Sequence, residues 1–407
     1  MTIAQINAVY HYSSTGRTSE EMHQYLLSKG IKSLVIVSRS SVKQEGVFVL
    51  NKKLSVKLHS AADRFLGFQS LFSILATLRT IYLLHKNKVD IVILRNLHGS
   101  YINLPILLKY LSSMKIPVIP VLHDSWLYTG TCCYYFDVSC NKWETKCNQC
   151  PKFQQKQILP LLDSSSLLFF IKKRLFSQIK LYVVGVSDWI TTEASRSAVF
   201  KNAISYHRIY NWIDQSVFFA KDCNELRDSL GIEKTDFIIL GIAQVWLPYK
   251  GLHILIDIAK AFPDCKVIIV GHANKEQKEK ASDNIIWIDS IDDTQLLSYY
   301  YSLSDVFVNC CTQETFGKVS AEALSCGTPV ITNRYTANPE IIGTDCGIIV
   351  TKYNSEAYID AVRTIRNHGK SFYTPLCNNR AKELFNINTN LNQYLNLFKE
   401  ICSSINK

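Results

Sequence analysis

The sequence predicts an α/β protein made of two doubly wound, mostly parallel sheets. Three observations predict this. Short apolar runs alternate with segments of helical periodicity through the first half. The same rhythm starts again after about residue 214. At 407 residues the chain also exceeds what one ordinary core holds.

In the first half, residues 3–10 form an apolar strand, followed by the polar stretch SSTGR (13–17) as a loop and a helix over about 19–29. Residues 33–38 read as a strand, 69–86 as a helix, 90–94 as a buried strand, 101–111 as a helix and 117–122 as a strand. In the second half, strands are expected at 237–242, 266–270, 284–288, 306–309 and 330–332, with helices at 253–261, 294–302 and around Glu322. The boundary falls near HRIYNWID, 207–214, which divides the chain into residues 1–207 and 208–387. The remaining segment, 388–407, carries Leu391, Tyr394, Leu395 and Phe398 on one face of an amphipathic helix.

Composition narrows the class. With 47% hydrophobic and 19% charged residues, there is ample apolar material for two cores. No run of about 20 apolar residues is present, so no spanning helix is expected. The first residues, MTIAQINAVY, lack a basic stretch ahead of the apolar ones and read as a strand rather than a secretion signal. The formal charge of +11 suits solubility, anionic lipid or anionic substrates. Nucleic acid is not expected as a partner, because no zinc-finger, RRM-like or helix-turn-helix pattern accompanies the charge. Thirteen cysteines, an odd number, argue against a complete disulfide framework and for a reducing cytoplasm.

The most informative stretch is 309–342, NCCTQETFGKVSAEALSCGTPVITNRYTANPEII. Glu314 and Glu322 are separated by seven residues. Thr315, Phe316 and Gly317 follow the first glutamate, and a helix-compatible segment carries the second. A strand, a glycine-bearing turn and a helix N-terminus form a cradle for a phosphate. A carboxylate deeper in that helix is placed to accept hydrogen bonds from ribose hydroxyls.

Taken with SSTGR (13–17), DRFLGFQS (63–70), HDSWLYTG (123–130), NWIDQSVF (211–218) and KGL (250–252), this pair resembles the retaining glycosyltransferases of family 4. The resemblance covers nearly the whole chain and is nearest the capsule and exopolysaccharide branch, whose members are similar to colanic-acid glycosyltransferases. It implies the GT-B fold, in which two Rossmann-like domains face a central cleft. Residues 1–207 would be the acceptor domain, 208–387 the donor domain for a nucleotide sugar, and 388–407 a helix crossing back to the first domain. The implied donor is a UDP-sugar or GDP-sugar, and the implied acceptor a saccharide on a polyprenyl diphosphate carrier. No catalytic metal is expected, because basic side chains and a helix dipole neutralise the diphosphate in this family. The implied location is the cytoplasm, peripheral on the membrane.

The resemblance also assigns roles. Lys250, with Gly251 after it, contacts the diphosphate, and backbone amides near Phe316, Gly317 and Lys318 add donors. Glu322 holds the ribose, and Glu314, with Thr315 beside it, stands at the donor sugar, first as a binding group and second as an electrostatic stabiliser. His123 contacts the transferred sugar near the reacting carbon. Gly16, in the first strand–helix loop, lets a ligand approach the backbone. Arg17, Asn96, His98 and Asp124 are acceptor-side candidates. Two departures are visible. No arginine stands shortly before Lys250, with Lys318 as a substitute, and Arg95 occupies a position where many relatives carry histidine.

Two features stand apart. Cys132, Cys140, Cys147 and Cys150 form C-x7-C-x6-C-x2-C within the insert 132–150, with Cys133 as an alternate ligand, and suit a structural zinc ion or remain free thiols. Residues 166–180, SLLFFIKKRLFSQIK, read as a core-packed helix with a solvated basic side, or as a helix lying on the inner leaflet of a membrane. Beside transfer, the alternatives are a non-catalytic nucleotide-sugar-binding or scaffold subunit and another GT-B activity such as sugar-nucleotide epimerisation.

Overall fold

The computed structural model describes residues 1–50, 53–154, 160–279 and 282–405. Residues 406 and 407 of the expected terminal segment lie outside the described residues. The chain divides into two compact units, one of residues 1–209 with 391–407, the other of residues 210–390.

The first unit holds a seven-stranded parallel sheet. Its strands are β1 (Thr2–Tyr10), β2 (Lys32–Ser40), β3 (Val47–Val49), β4 (Ile91–Leu94), β5 (Val118–Leu122), β6 (Tyr182–Gly185) and β7 (Ser205–Arg208). They lie in the order β3-β2-β1-β4-β5-β6-β7. The pattern follows from composition: Ile91 to Leu94 and Val118 to Leu122 are buried throughout, as strands covered by helices on both faces must be. The second unit repeats the plan with six strands: β8 (Ile238–Val245), β9 (Lys266–His272), β10 (Ile285–Ile288), β11 (Val306–Asn309), β12 (Val330–Asn333) and β13 (Gly347–Val350). Their order is β10-β9-β8-β11-β12-β13, all parallel. Each sheet therefore reverses its winding once, between β1 and β4 and between β8 and β11. Crevices beyond the carboxyl ends of strands at such reversals are where open parallel sheets bind ligands.

Helix starts are set by local chemistry. Asn103, Ser187, Asp293 and Asn354 each accept a backbone N–H from the first turn of the helix they precede. Several expected boundaries shift, among them the end of the helix expected over 166–180, which stops at Phe176. The first helix is Ser13–Ser28, so Gly16 and Arg17 sit in its opening turns rather than in a loop. The turn is made earlier, at His11 and Ser13, which take positive φ of 75° and 60°. The expected helix 69–86 begins only at Ile74, because Ser70 and Ser73 adopt left-handed backbone. The helix expected from residue 101 starts at Leu104, after its Asn103 cap.

Helix Ser165–Phe176 packs Leu168, Phe169, Leu175 and Phe176 inward. Lys172, counted in the sequence as part of a basic outer side, is fully buried. Its ammonium donates to the carbonyls of Trp126, Thr129 and Gly130 and stands 3.5 Å from the Trp126 ring centroid. Burial lowers it to about 7. The last helix, Ile387–Ile405, buries Leu391, Tyr394, Leu395 and Phe398, and from Leu391 onward it groups with the first unit.

Candidate functional site

In the second unit the loop after β8 turns at Pro248–Lys250 and passes through Gly251 into helix Leu252–Ala261. Gly251 has φ +74°, and a Cβ there would stand 2.5 Å from Cys310 Cβ and 2.8 Å from the Tyr353 hydroxyl. Only glycine fits that turn. The turn places the Lys250 ammonium 2.7 Å from Glu314 Oε1. Both side chains are mostly shielded, at 26% and 16% exposure.

Glu314 lies in the loop after β11, and its backbone is clamped at both ends. Its N–H donates to Thr336 Oγ1 at 3.1 Å, and its carbonyl accepts from Ala337 N at 3.1 Å. Thr315 is buried beside it. Phe316 turns into the core, edge-on to Phe385 at 5.4 Å between centroids, which leaves its backbone as the part facing the turn. Gly317 takes φ 80°, ψ 56° and opens helix Lys318–Ser325. The first amides of that helix have no intrahelical acceptor and carry the positive end of its dipole. Glu322, one turn deeper, is 3% exposed and accepts from the Tyr301 hydroxyl at 3.1 Å. It is thus no solvated helix carboxylate.

The structure brings Lys250, Glu314, Thr315 and the Gly317 turn together in the loops that follow β8 and β11, and sets Glu322 one turn further into the helix, at Tyr301. It also adds a residue that the sequence did not suggest. Asn338 Oδ1 is buried without a hydrogen-bond partner, 3.8 Å from where a Cβ on Gly317 would stand. Its amide nitrogen is used by Cys311 O and Asn333 Oδ1. A buried amide oxygen left open beside the Gly317 turn is a ready acceptor for a hydroxyl donor. The sequence signal, an Asn before Pro339, reads only as a helix start.

In the first unit His123 follows β5 directly and is 8% exposed. Its Nε2 lies 3.0 Å from Arg95 Nη1. Arg95 is buried, and it also donates to Gln5 Oε1 at 3.0 Å, to Thr18 Oγ1 at 3.2 Å and to Met22 Sδ at 3.4 Å. Burial lowers its guanidinium to about 10. Arg95 thus puts a cation behind His123. Asn96, after β4, is held through its backbone by Asn7 Oδ1 and Tyr101. Gly16 and Arg17 lie in the helix after β1, and the buried Arg17 Nε has no hydrogen-bond partner.

His98 and Asp124 meet at 2.9 Å. Asp124 is oriented by Trp126 N, which donates to its other oxygen at 2.8 Å. Burial would lower the His98 imidazole, but hydrogen bonds to Asp124 and Cys133 outweigh it and raise His98 to about 11. Among the described residues, His98, Asp124 and Cys133 are the group of metal-ligating side chains whose atoms all lie within 4.8 Å of one another. The four-cysteine set expected from the sequence is not gathered that closely. Cys132, Cys140, Cys147 and Cys150 line one small cavity of about 20 Å³. There the Cys132 thiol hydrogen-bonds Cys150, which holds Cys150 down at about 6. Cys133, adjacent in sequence, points to His98 instead. Strand-like or turn backbone sends neighbouring side chains to opposite sides, which a count of spacings does not reveal.

Residues 222–379 match the family described as glycosyl transferases group 1. Among curated relatives, the N-acetyl-alpha-D-glucosaminyl L-malate synthase of Bacillus anthracis is 26% identical over 147 residues, 33% of this chain and 37% of that protein. The capsular polysaccharide biosynthesis glycosyltransferase CapM of Staphylococcus aureus is 27% identical over 163 residues, 37% of this chain and 42% of that protein. The chain thus spans less than half the length of either relative. Solved structures align over the whole fold. A sucrose-phosphate synthase from Thermosynechococcus elongatus gives a TM-score of 0.73 at 15% identity, covering 99% of both chains. Anabaena HepE in complex with UDP-glucose gives 0.69 at 18% identity, covering 98% of this chain and 100% of that one.

Proposed function

We propose that this chain is a retaining hexosyltransferase of the family 4 type: residues 222–379 match the group 1 glycosyl transferases, and the two parallel-sheet units align in fold with solved glycosyltransferase structures. It moves a hexose or modified hexose from a UDP-sugar or GDP-sugar to a lipid-linked oligosaccharide in the assembly of capsule, exopolysaccharide or O-antigen. One observation carries this reading: the Lys250–Glu314 pair at 2.7 Å, beside a glycine-opened helix whose next turn buries Glu322.

Transfer from such a donor builds negative charge on the departing diphosphate and positive charge at the anomeric carbon. Lys250 and the free amides after Gly317 answer the first. Glu314 answers the second and, before it, binds the sugar hydroxyls. Glu322 holds the ribose. HepE, similar in fold, binds UDP-glucose, which favours the same class of donor here. His123 contacts the transferred sugar. Arg17, Asn96, His98 and Asp124 take the acceptor. CapM acts in capsular polysaccharide biosynthesis, which supports an acceptor of that kind. Residues 1–207 serve as the acceptor domain and 208–387 as the donor domain, in the cytoplasm and peripheral on the membrane.

The four cysteines 132, 140, 147 and 150 offer the donor set of a structural zinc site, and their shared cavity supports it. Metal analysis of the purified protein, with Cys147→Ser as the control, tests that ion. The transferase reading is tested by donor-dependent release of UDP or GDP. Release is expected from the wild type and is expected to be lost in Lys250→Ala and Glu314→Ala. Full turnover in both variants removes these residues from the site. Binding of nucleotide sugar with no release in any condition favours the alternative, a non-catalytic binding subunit.

A further inference from the structure

The helix Ile74–Lys86 shows an apolar stripe that stays exposed among the described residues. Ala76, Thr77, Thr80, Leu83 and Leu84 form its inner face. On the outer face Leu75 is 83% exposed, Tyr82 59%, Ile74 52% and Leu78 50%. These positions recur at helical spacing, so the four side chains share one side of a rod about 20 Å long. Phe65 and Leu66, at the end of the preceding helix, are exposed as well. Single exposed apolar residues are ordinary, but a contiguous stripe of this kind marks a contact surface.

The charges on the helix identify the partner. ILATLRTIYLLHK has no acidic residue, while Arg79, His85 and Lys86 are exposed on the same side. The Lys86 ammonium lies 5.7 Å from the Tyr82 ring centroid, which places a cation at the edge of the stripe. Asp90, the next acid along the chain, faces the N-terminal amine at 4.0 Å. A second copy of the chain fits poorly. A two-fold contact presents a patch to itself, and a pairing centred on this helix would set Arg79 against its own equivalent. An apolar stripe with a basic rim instead matches the boundary of a bilayer with anionic headgroups.

We propose that Ile74, Leu75, Leu78 and Tyr82 insert into an anionic membrane surface, with Arg79 and Lys86 among its headgroups. The proposal rests on the reading that the acceptor is lipid-linked, and it deepens that reading by assigning the docking face. It also moves that face from residues 166–180, where Lys172 points inward, to residues 74–86.

The test is flotation of the full chain with vesicles of phosphatidylcholine containing phosphatidylglycerol, and with phosphatidylcholine alone. The wild type is expected to float with the anionic vesicles and to release as salt rises. The double variant L75E/L78E is expected to lose at least tenfold in binding while keeping the wild-type melting temperature, since both side chains face solvent. K173E/R174E, on the other helix, is expected to stay within twofold of wild type. The proposal is overturned if the wild type ignores anionic vesicles, if K173E/R174E rather than L75E/L78E abolishes flotation, or if L75E/L78E instead dissociates a dimer. Nucleotide release in vesicle-free buffer separates the two readings. A chain that turns over donor but never floats rejects the docking face alone, and one that floats but never turns over donor rejects the transferase alone.

Discussion

Arg95 Nη1 stands 3.0 Å from His123 Nε2, and the other three hydrogen bonds of Arg95 go to neutral groups, Gln5, Thr18 and Met22. A guanidinium only donates, so Nε2 must accept and the imidazole proton resides on Nδ1. The pair thus fixes one tautomer of the histidine assigned to the transferred sugar. Arg95→Met removes the donor at similar length. It is expected to lower donor turnover by up to ~10²-fold, with KM for the nucleotide sugar little changed, through loss of the held orientation. Nitrogen-15 NMR of histidine-labelled protein supplies the readout that a purely structural role would not move. The wild type should show His123 protonated on Nδ1, and the variant a mixture of tautomers. Protonation on Nε2 in the wild type contradicts the assignment.

Lys250 and Glu314 are coupled in the same sense. Lys250→Ala removes the charge proposed to face the leaving diphosphate, and turnover is expected to fall by about 10²–10³-fold. Glu314→Gln keeps the shape and loses the charge, so its loss should be smaller than that of Glu314→Ala. The side chains touch at 2.7 Å, so the double variant should depart from additivity by about 0.5–3 kcal/mol. Nucleotide-release kinetics on the four members of the cycle measure this. Strict additivity means that the two act separately.

Much of this was legible in the sequence because parallel strands at 91–94 and 118–122 are apolar at every position, and because Gly251 and Gly317 mark turns that only glycine makes easily. The pairing of the Gly251 turn with the Glu314–Gly317 loop was expected from those turns together with the family resemblance. What was hidden depends on contacts distant in sequence. Strand Ser205–Arg208 is short and polar, so no periodicity announced it, and Tyr182–Gly185, although apolar, is only four residues long and cannot be told from a buried helix segment by periodicity. Lys172 reads as a surface charge until the carbonyls of Trp126, Thr129 and Gly130 converge on it. Cys133 looked like a spare zinc ligand, and its partner His98 lies 35 residues earlier, a pairing that spacing within the insert does not encode. The early end of the first loop was likewise missed, because the positive φ falls on His11 and Ser13 rather than on Gly16.

Gly251→Ala separates backbone strain from chemistry. The new Cβ would meet Cys310 and Tyr353 at a backbone conformation that disfavours side chains. A cost of about 1–3 kcal/mol is expected, with a lower melting temperature and a displaced Lys250. Donor affinity by calorimetry should fall together with stability. An unchanged melting temperature shows that the turn relaxes.

Asp63 sets a pH dependence that stability measurements can isolate. It is 8% exposed, bonded to the Ser100 hydroxyl through one oxygen, and its Oδ1 has no partner. Burial raises it from 3.8 to about 6. A folded-state value above the unfolded one means that the fold binds this proton more tightly. The resulting stability is present below about pH 4 and is lost as pH rises through 6. A shift of about two units corresponds to about 3 kcal/mol at most. Asp63→Asn removes the titration and keeps the hydrogen bond. The variant should therefore gain on the wild type between pH 4 and 6, hold a constant advantage from pH 7 upward, and show none near pH 4. Urea unfolding across that range decides it, since a difference that grows toward low pH would mean that Asp63 is held ionised by a cation and not left uncompensated.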